Sequence, residues 1–70
     1  MLFQITYEPE KNRLALNGRD IHCGQCLEVL MPNTKDGGTL CTTRVEYSDR
    51  WYFVGMKDVS PVGIWAKETD

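Results

Sequence analysis

The side chains with the most chemistry stand close together: His22-Cys23-Gly24-Gln25-Cys26, a Cys-x-x-Cys pair preceded by a histidine, with a third cysteine at Cys41. Three chemistries suit these types. Cys-x-x-Cys can wrap a tetrahedral zinc ion, with Cys41 as a third thiolate and His22 as the fourth ligand. However, His22 and Cys23 are neighbours, and neighbouring side chains on extended backbone point apart, so a shared metal needs a bent loop. The second Cys-x-x-Cys of most such sites is also missing. A thioredoxin-type redox pair needs a helix N-terminus to lower a thiol pKa and a βαβ fold to carry it. The chain shows no helical periodicity and is too short for that fold. The third chemistry is structural. Cysteine packs as a small apolar residue, Gly24 permits a turn, and the His22 ring ties the loop to backbone carbonyls. The structural reading, without cofactor, is the one adopted. A small zinc-stabilised domain using Cys23, Cys26, Cys41 and His22 is the alternative.

Catalytic groups are otherwise sparse. The one histidine has only Cys23 beside it, and adjacent residues do not form a working dyad. Asp36-Gly37-Gly38-Thr39 lacks the lysine and following helix of a phosphate-cradling loop. The chain is therefore read as non-enzymatic. Binding groups are better represented. Arg44 and Glu46 lie two apart and share a strand face, where Arg44 could clamp a carboxylate or phosphate or simply pair with Glu46. Tyr52 and Trp65 fall on alternation positions opposite the core face, and exposed aromatics make good anchors because they supply area with few rotors. Arg44, Glu46, Tyr52 and Trp65 are the candidate binding residues.

The elements that must position them are strands. No window places apolar residues at i, i+3, i+4, i+7 over three turns, whereas period-2 alternation recurs. Phe3, Ile5 and Tyr7 alternate with Gln4 and Thr6. Leu14 and Leu16 follow, before the turn dipeptide Asn17-Gly18. Leu27, Val29 and Met31 alternate, then Cys41, Thr43, Val45 and Tyr47, then Trp51 and Phe53, and Val62–Ala66 closes the series. A three-residue loop, Ser48-Asp49-Arg50, pairs Tyr47 with Trp51, Glu46 with Tyr52, Val45 with Phe53 and Arg44 with Val54. Its core face is Val45, Tyr47, Trp51 and Phe53. Pro32–Gly38 reads as a long loop.

Five or six short strands in 70 residues are too few for a normal sandwich but can close into a small bent barrel. The predicted fold is an all-β, single-domain barrel over residues 1–70, Src-homology-3-like, with Val59-Ser60-Pro61 as a helical turn before the closing strand. Scaling laws leave about 60% of the surface buried at this length, so such a chain folds only if its packing is good or a metal or partner helps.

Charge and composition narrow the partners. Eight basic and ten acidic residues give a net charge of −2, spread without runs. A nucleic-acid-binding barrel, using Arg13, Arg19, Arg44 and Tyr52, is a second alternative that this acidic balance disfavours. No run approaches the ~20 apolar residues of a membrane span, and the start lacks the n- and h-regions of a secretory signal. The expectation is a cytoplasmic protein with reduced thiols. A chain this small can also dimerise through strand edges left by an imperfectly closed barrel.

Asn17-Gly18-Arg19-Asp20-Ile21-His22-Cys23-Gly24, Leu27-Glu28-Val29, Thr43-Arg44-Val45-Glu46 and Trp51-Tyr52-Phe53-Val54-Gly55 together resemble a family of short bacterial domains of unknown function. The resemblance covers about residues 13–66. It implies a distribution among Gram-positive bacteria and their mobile elements, and hence an accessory role, with action against host defence one form of it. Cys26 departs from the family pattern, which implies that the Cys-x-x-Cys spacing is incidental. The resulting reading is a non-enzymatic interaction module that binds a protein partner.

Overall fold

Alternating side chains on a short chain make short strands, and these must bend to enclose a common core. The structure, a computed structural model, describes residues 1–31, 38–56 and 58–69. Eight strands lie among them: β1 (Phe3–Gln4), β2 (Thr6–Glu8), β3 (Arg13–Leu16), β4 (Arg19–Asp20), β5 (Cys26–Met31), β6 (Thr39–Tyr47), β7 (Trp51–Phe53) and β8 (Trp65–Glu68). They form a five-stranded sheet in the order β1-β8-β5-β6-β7 and a three-stranded sheet β2-β3-β4. All the strand pairings within them are antiparallel. The fold is all-β and barrel-like, as the alternation predicts. The expected loop at Pro32–Gly38 falls, except for Gly38, outside the described residues.

The strand count exceeds the predicted five or six because the Phe3–Tyr7 stretch serves both sheets and Arg19–Asp20, after the Asn17-Gly18 turn, adds the short β4. β1 pairs with β8, whereas β2 pairs with β3. Between them, the Ile5 N–H donates to the Ile64 carbonyl at 2.9 Å and the Ile5 carbonyl accepts from Gly63 N–H at 2.8 Å. The Ile5 side chain is buried, so the chain changes sheets around a core residue. Asn17 and Gly18 have φ of 52° and 77°, the left-handed pair that a tight β3–β4 turn requires.

One core joins the sheets. Leu14, Leu16 and Ile21 come from the three-stranded side, Leu27, Val29, Met31, Val45, Phe53 and Ala66 from the other, with Ile5 at the corner. Thr43 is also buried, and its hydroxyl is satisfied by donating to the Val54 carbonyl at 3.2 Å.

The β6–β7 hairpin has the predicted register: Val45 opposite Phe53, Glu46 opposite Tyr52, Tyr47 opposite Trp51. Its predicted core face holds only in part. Val45 and Phe53 are fully buried, whereas Tyr47 is 40% exposed and Trp51 half-buried. The hairpin runs past the end of the core, and the rings of its last inward pair meet in a tilted contact, with centroids 5.1 Å apart. The closing strand also differs, lying at Trp65–Glu68 rather than Val62–Ala66. The chain before it is occupied by a turn in which Ile64 N–H donates to the Pro61 carbonyl and Gly63 takes φ 90°. The expected helical turn at Val59-Ser60-Pro61 is likewise a run of turns and bends.

Candidate binding groove

At the end of the barrel where the hairpin outruns the core, three segments leave a groove of ≈ 400 Å³. Tyr7 comes from β2, Tyr47 and Trp51 from the hairpin, and Pro61 and Val62 from the turn before β8; Asp49, Arg50 and Asp58 stand at its rim. The volume lies within the ~300–1,000 Å³ of typical ligand pockets.

Asn12 sets the aromatic walls. It occupies the β2–β3 turn at φ 49°, a left-handed conformation that asparagine tolerates. Its side-chain Oδ1 accepts from the Tyr7 hydroxyl at 2.8 Å. Its main-chain carbonyl accepts from Trp51 Nε1–H at 3.2 Å. The Arg13 guanidinium lies 5.7 Å from the Trp51 ring centroid, within cation–π range, and also donates to the Ile21 carbonyl at 3.3 Å. Tyr7 and Tyr47 nevertheless remain 42% and 40% exposed. Tyr7 is thus held in position yet left open, and Tyr47 stays open beside the Trp51 ring that Asn12 holds, an arrangement suited to packing against another apolar or ring-bearing group.

The residues singled out from the sequence lie elsewhere. Arg44, Glu46 and Tyr52 share the outer face of the five-stranded sheet. Arg44 Nε donates to Glu46 Oε2 at 2.9 Å, and Tyr52, half-buried, stands opposite Glu46. Trp65 is 46% exposed on the same sheet but two strands from Arg44 and Glu46 and three from Tyr52, roughly 10–14 Å across the sheet at ~4.8 Å per strand. The structure therefore brings three of the four together and leaves the fourth apart. Among the described residues the groove and this group meet at the hairpin tip, where Asp49 and Arg50 line both the groove and the hollow beside Tyr52.

Sequence reasoning missed Tyr7 and Tyr47 because alternation put Tyr47 on a core face and left Tyr7 as one member of the Phe3-Ile5-Tyr7 run. What it could not supply was where the core ends. The sign available was polar neighbours: both are the last aromatic before a polar turn, Glu8–Asn12 and Ser48–Arg50.

Two of the three thiols lie outside the core. Cys23 and Cys26 are exposed and Cys41 is half-buried. The His22–Cys26 loop is tied by Gln25, whose side-chain Oε1 accepts from His22 N–H at 3.0 Å, the role predicted for the His22 ring. The polar Gln25 thus does from the turn what burial was expected to do. Cys26 pairs with Arg44 on the outer face. Cys41 lies three residues along β6, opposite Val29, and packs against the core. They therefore point to opposite sides of the sheet. Among the described residues no three His, Cys, Asp or Glu side chains gather as a metal site.

The arginines are also dispersed. Arg13 lies over Trp51, Arg19 faces Glu68 at 3.5 Å, and Arg44 is paired with Glu46. Among the described residues no helix is long and apolar enough to cross a membrane.

Residues 3–67 match the model of the family described as Domain of unknown function (DUF5348). No curated protein and no solved structure matches the chain. The family match spans both sheets, the hairpin and the turn that walls the groove, and the chain belongs to the DUF5348 family.

Proposed function

We propose that this domain is a non-enzymatic interaction module that binds a protein partner through the groove walled by Tyr7, Tyr47, Trp51 and Pro61. The observation that carries the reading is the double use of Asn12, which holds Tyr7 and Trp51 while Tyr7 and Tyr47 stay open to solvent. Pre-set aromatic walls lower the ordering cost of binding. An extended segment carrying an apolar or proline side chain would fill the space between the rings. Asp49, Arg50 and Asp58 at the rim would orient it. Arg44, Glu46 and Tyr52 would flank a partner that reaches around the hairpin tip.

The test is selection from a displayed random-peptide library against the wild-type domain and against Tyr7→Ser/Tyr47→Ser. Both tyrosines are substantially exposed, so the double variant should fold, which circular dichroism checks. Peptides enriched by the wild type and lost with the double variant would support the groove. Enriched peptides that the double variant binds equally well would move the site elsewhere.

A further inference from the structure

β6 is the longest strand, and only part of it is covered on the hairpin side. β7 pairs with Val45, Glu46 and Tyr47, and Val54 N–H donates to the Arg44 carbonyl at 2.9 Å. The chain then turns away at Gly55, φ 83°. Beyond that point, no strand among the described residues pairs with Thr39–Thr42 on this side.

The direction of the free groups follows from the ladder. Val45 N–H donates to the Gln25 carbonyl, so Val45 points its main-chain groups toward β5. The Arg44 carbonyl points toward β7. Main-chain direction alternates along an antiparallel strand. Leu40 and Thr42 therefore turn N–H and C=O outward at the open edge, while Cys41 turns its own toward β5, where it stands opposite Val29.

We infer that this edge is a self-association surface, on which two copies pair Leu40–Thr42 antiparallel about a two-fold axis at Cys41. Leu40 of each copy then meets Thr42 of the other, and the four outward groups of one edge meet the four of its partner. The edge is complementary to itself in three respects. Donors and acceptors match under the two-fold. Thr39-Leu40-Cys41-Thr42-Thr43 carries no charge, so no like charges oppose one another. The residue at the axis is small. The edge strands differ: β4 is Arg19-Asp20, β2 ends in Glu8, β1 is two residues long, and β7, though uncharged, is only three. Charge and shortness are the usual guards of a sheet edge, and β6 has neither here.

The geometry makes Cys41 a reporter. At the axis it forms a non-hydrogen-bonded pair, with Cα atoms ~4.5 Å apart, within the ~4.4–6.8 Å of disulfides. The experiment uses the full chain under reducing conditions, in sedimentation velocity from about 10 µM to about 1 mM, where so small an interface associates. A concentration-dependent dimer is expected. Thr42→Pro removes an outward N–H without touching the β5 ladder, which should weaken the dimer about tenfold or more through two lost hydrogen bonds. In parallel, single-cysteine variants (Cys23, Cys26 or Cys41 retained, the others serine) are treated with diamide, which takes up the two electrons and two protons released by a thiol pair. Disulfide dimers should form fastest through Cys41. A monomer across the whole range, a dimer of unchanged affinity in folded Thr42→Pro, or cross-linking through Cys41 no faster than through the more exposed Cys23 or Cys26 would each overturn the inference.

Discussion

Trp51 Nε1–H donates to the main-chain carbonyl of Asn12 at 3.2 Å, a bond that spans 39 residues and ties the hairpin of one sheet to a turn of the other. Asn12 can present that carbonyl because its φ is 49°. The same residue accepts from Tyr7. One turn residue thus fixes two walls of the groove, and the position of Trp51 depends on a polar contact as well as on packing.

Trp51→Phe keeps a ring but removes the donor. The loss of about 0.5–1.5 kcal/mol for the hydrogen bond and part of a cation–π contact of ~0.5–1 kcal/mol with Arg13 should lower stability by about 1–2 kcal/mol. Urea unfolding followed by circular dichroism should show a lower midpoint at unchanged slope, the mark of a stability change without altered compactness.

The core is less forgiving. Phe53 is fully buried in the core that the two sheets share, and Phe53→Ala should cost about 3–5 kcal/mol. A domain of this length has roughly 4–10 kcal/mol in total, so the variant should be partly unfolded at 37 °C. Val62→Ala, at a half-exposed position, should stay within about 0.5 kcal/mol of the wild type. Thermal melts of the pair check that burial, rather than apolar character, decides the cost.

Much of the fold was legible because period-2 alternation survives wherever one strand face is buried. The hairpin register followed from a three-residue loop, and the Asn17-Gly18 turn from its φ requirements. Three things were not legible. Ile5 changes sheets by bonding to Gly63 and Ile64, a contact 58 residues away that no local pattern encodes. Tyr47 sits in the inward register yet beyond the core's end, because alternation gives a side chain its face but not its depth. The cysteines read as buried because the residue type favours burial, whereas a turn held by Gln25 places Cys23 and Cys26 at the surface. The groove was missed for the second reason: Tyr47 was assigned to the core, and nothing local set Tyr7 apart from the apolar run it ends.

The Arg44–Glu46 ion pair, at 2.9 Å but with side chains 54% and 30% exposed, should contribute little. A double-mutant cycle with Arg44→Gln and Glu46→Gln should give a coupling of no more than about 1 kcal/mol. Most of it should disappear in 1 M salt, where the screening length falls to about 3 Å. A coupling several times larger that resists salt would mean that the pair is buried from solvent more than its exposure indicates.

The thiols give the last prediction. Cys23 and Cys26 are exposed while Cys41 is half-buried against the core, so a thiol reagent should modify two groups quickly and the third more slowly in the folded domain. Denaturant should bring the third to the rate of the others. Cys26 and Cys41 lie on opposite faces of the sheet, too divergent to share a tetrahedral ion, whose Zn–S bonds are only ~2.3 Å. Excess chelator should therefore leave both the melting temperature and the two fast thiols unchanged. If zinc held the loop instead, chelator would lower the melting temperature, and all three cysteines would be protected until it was added.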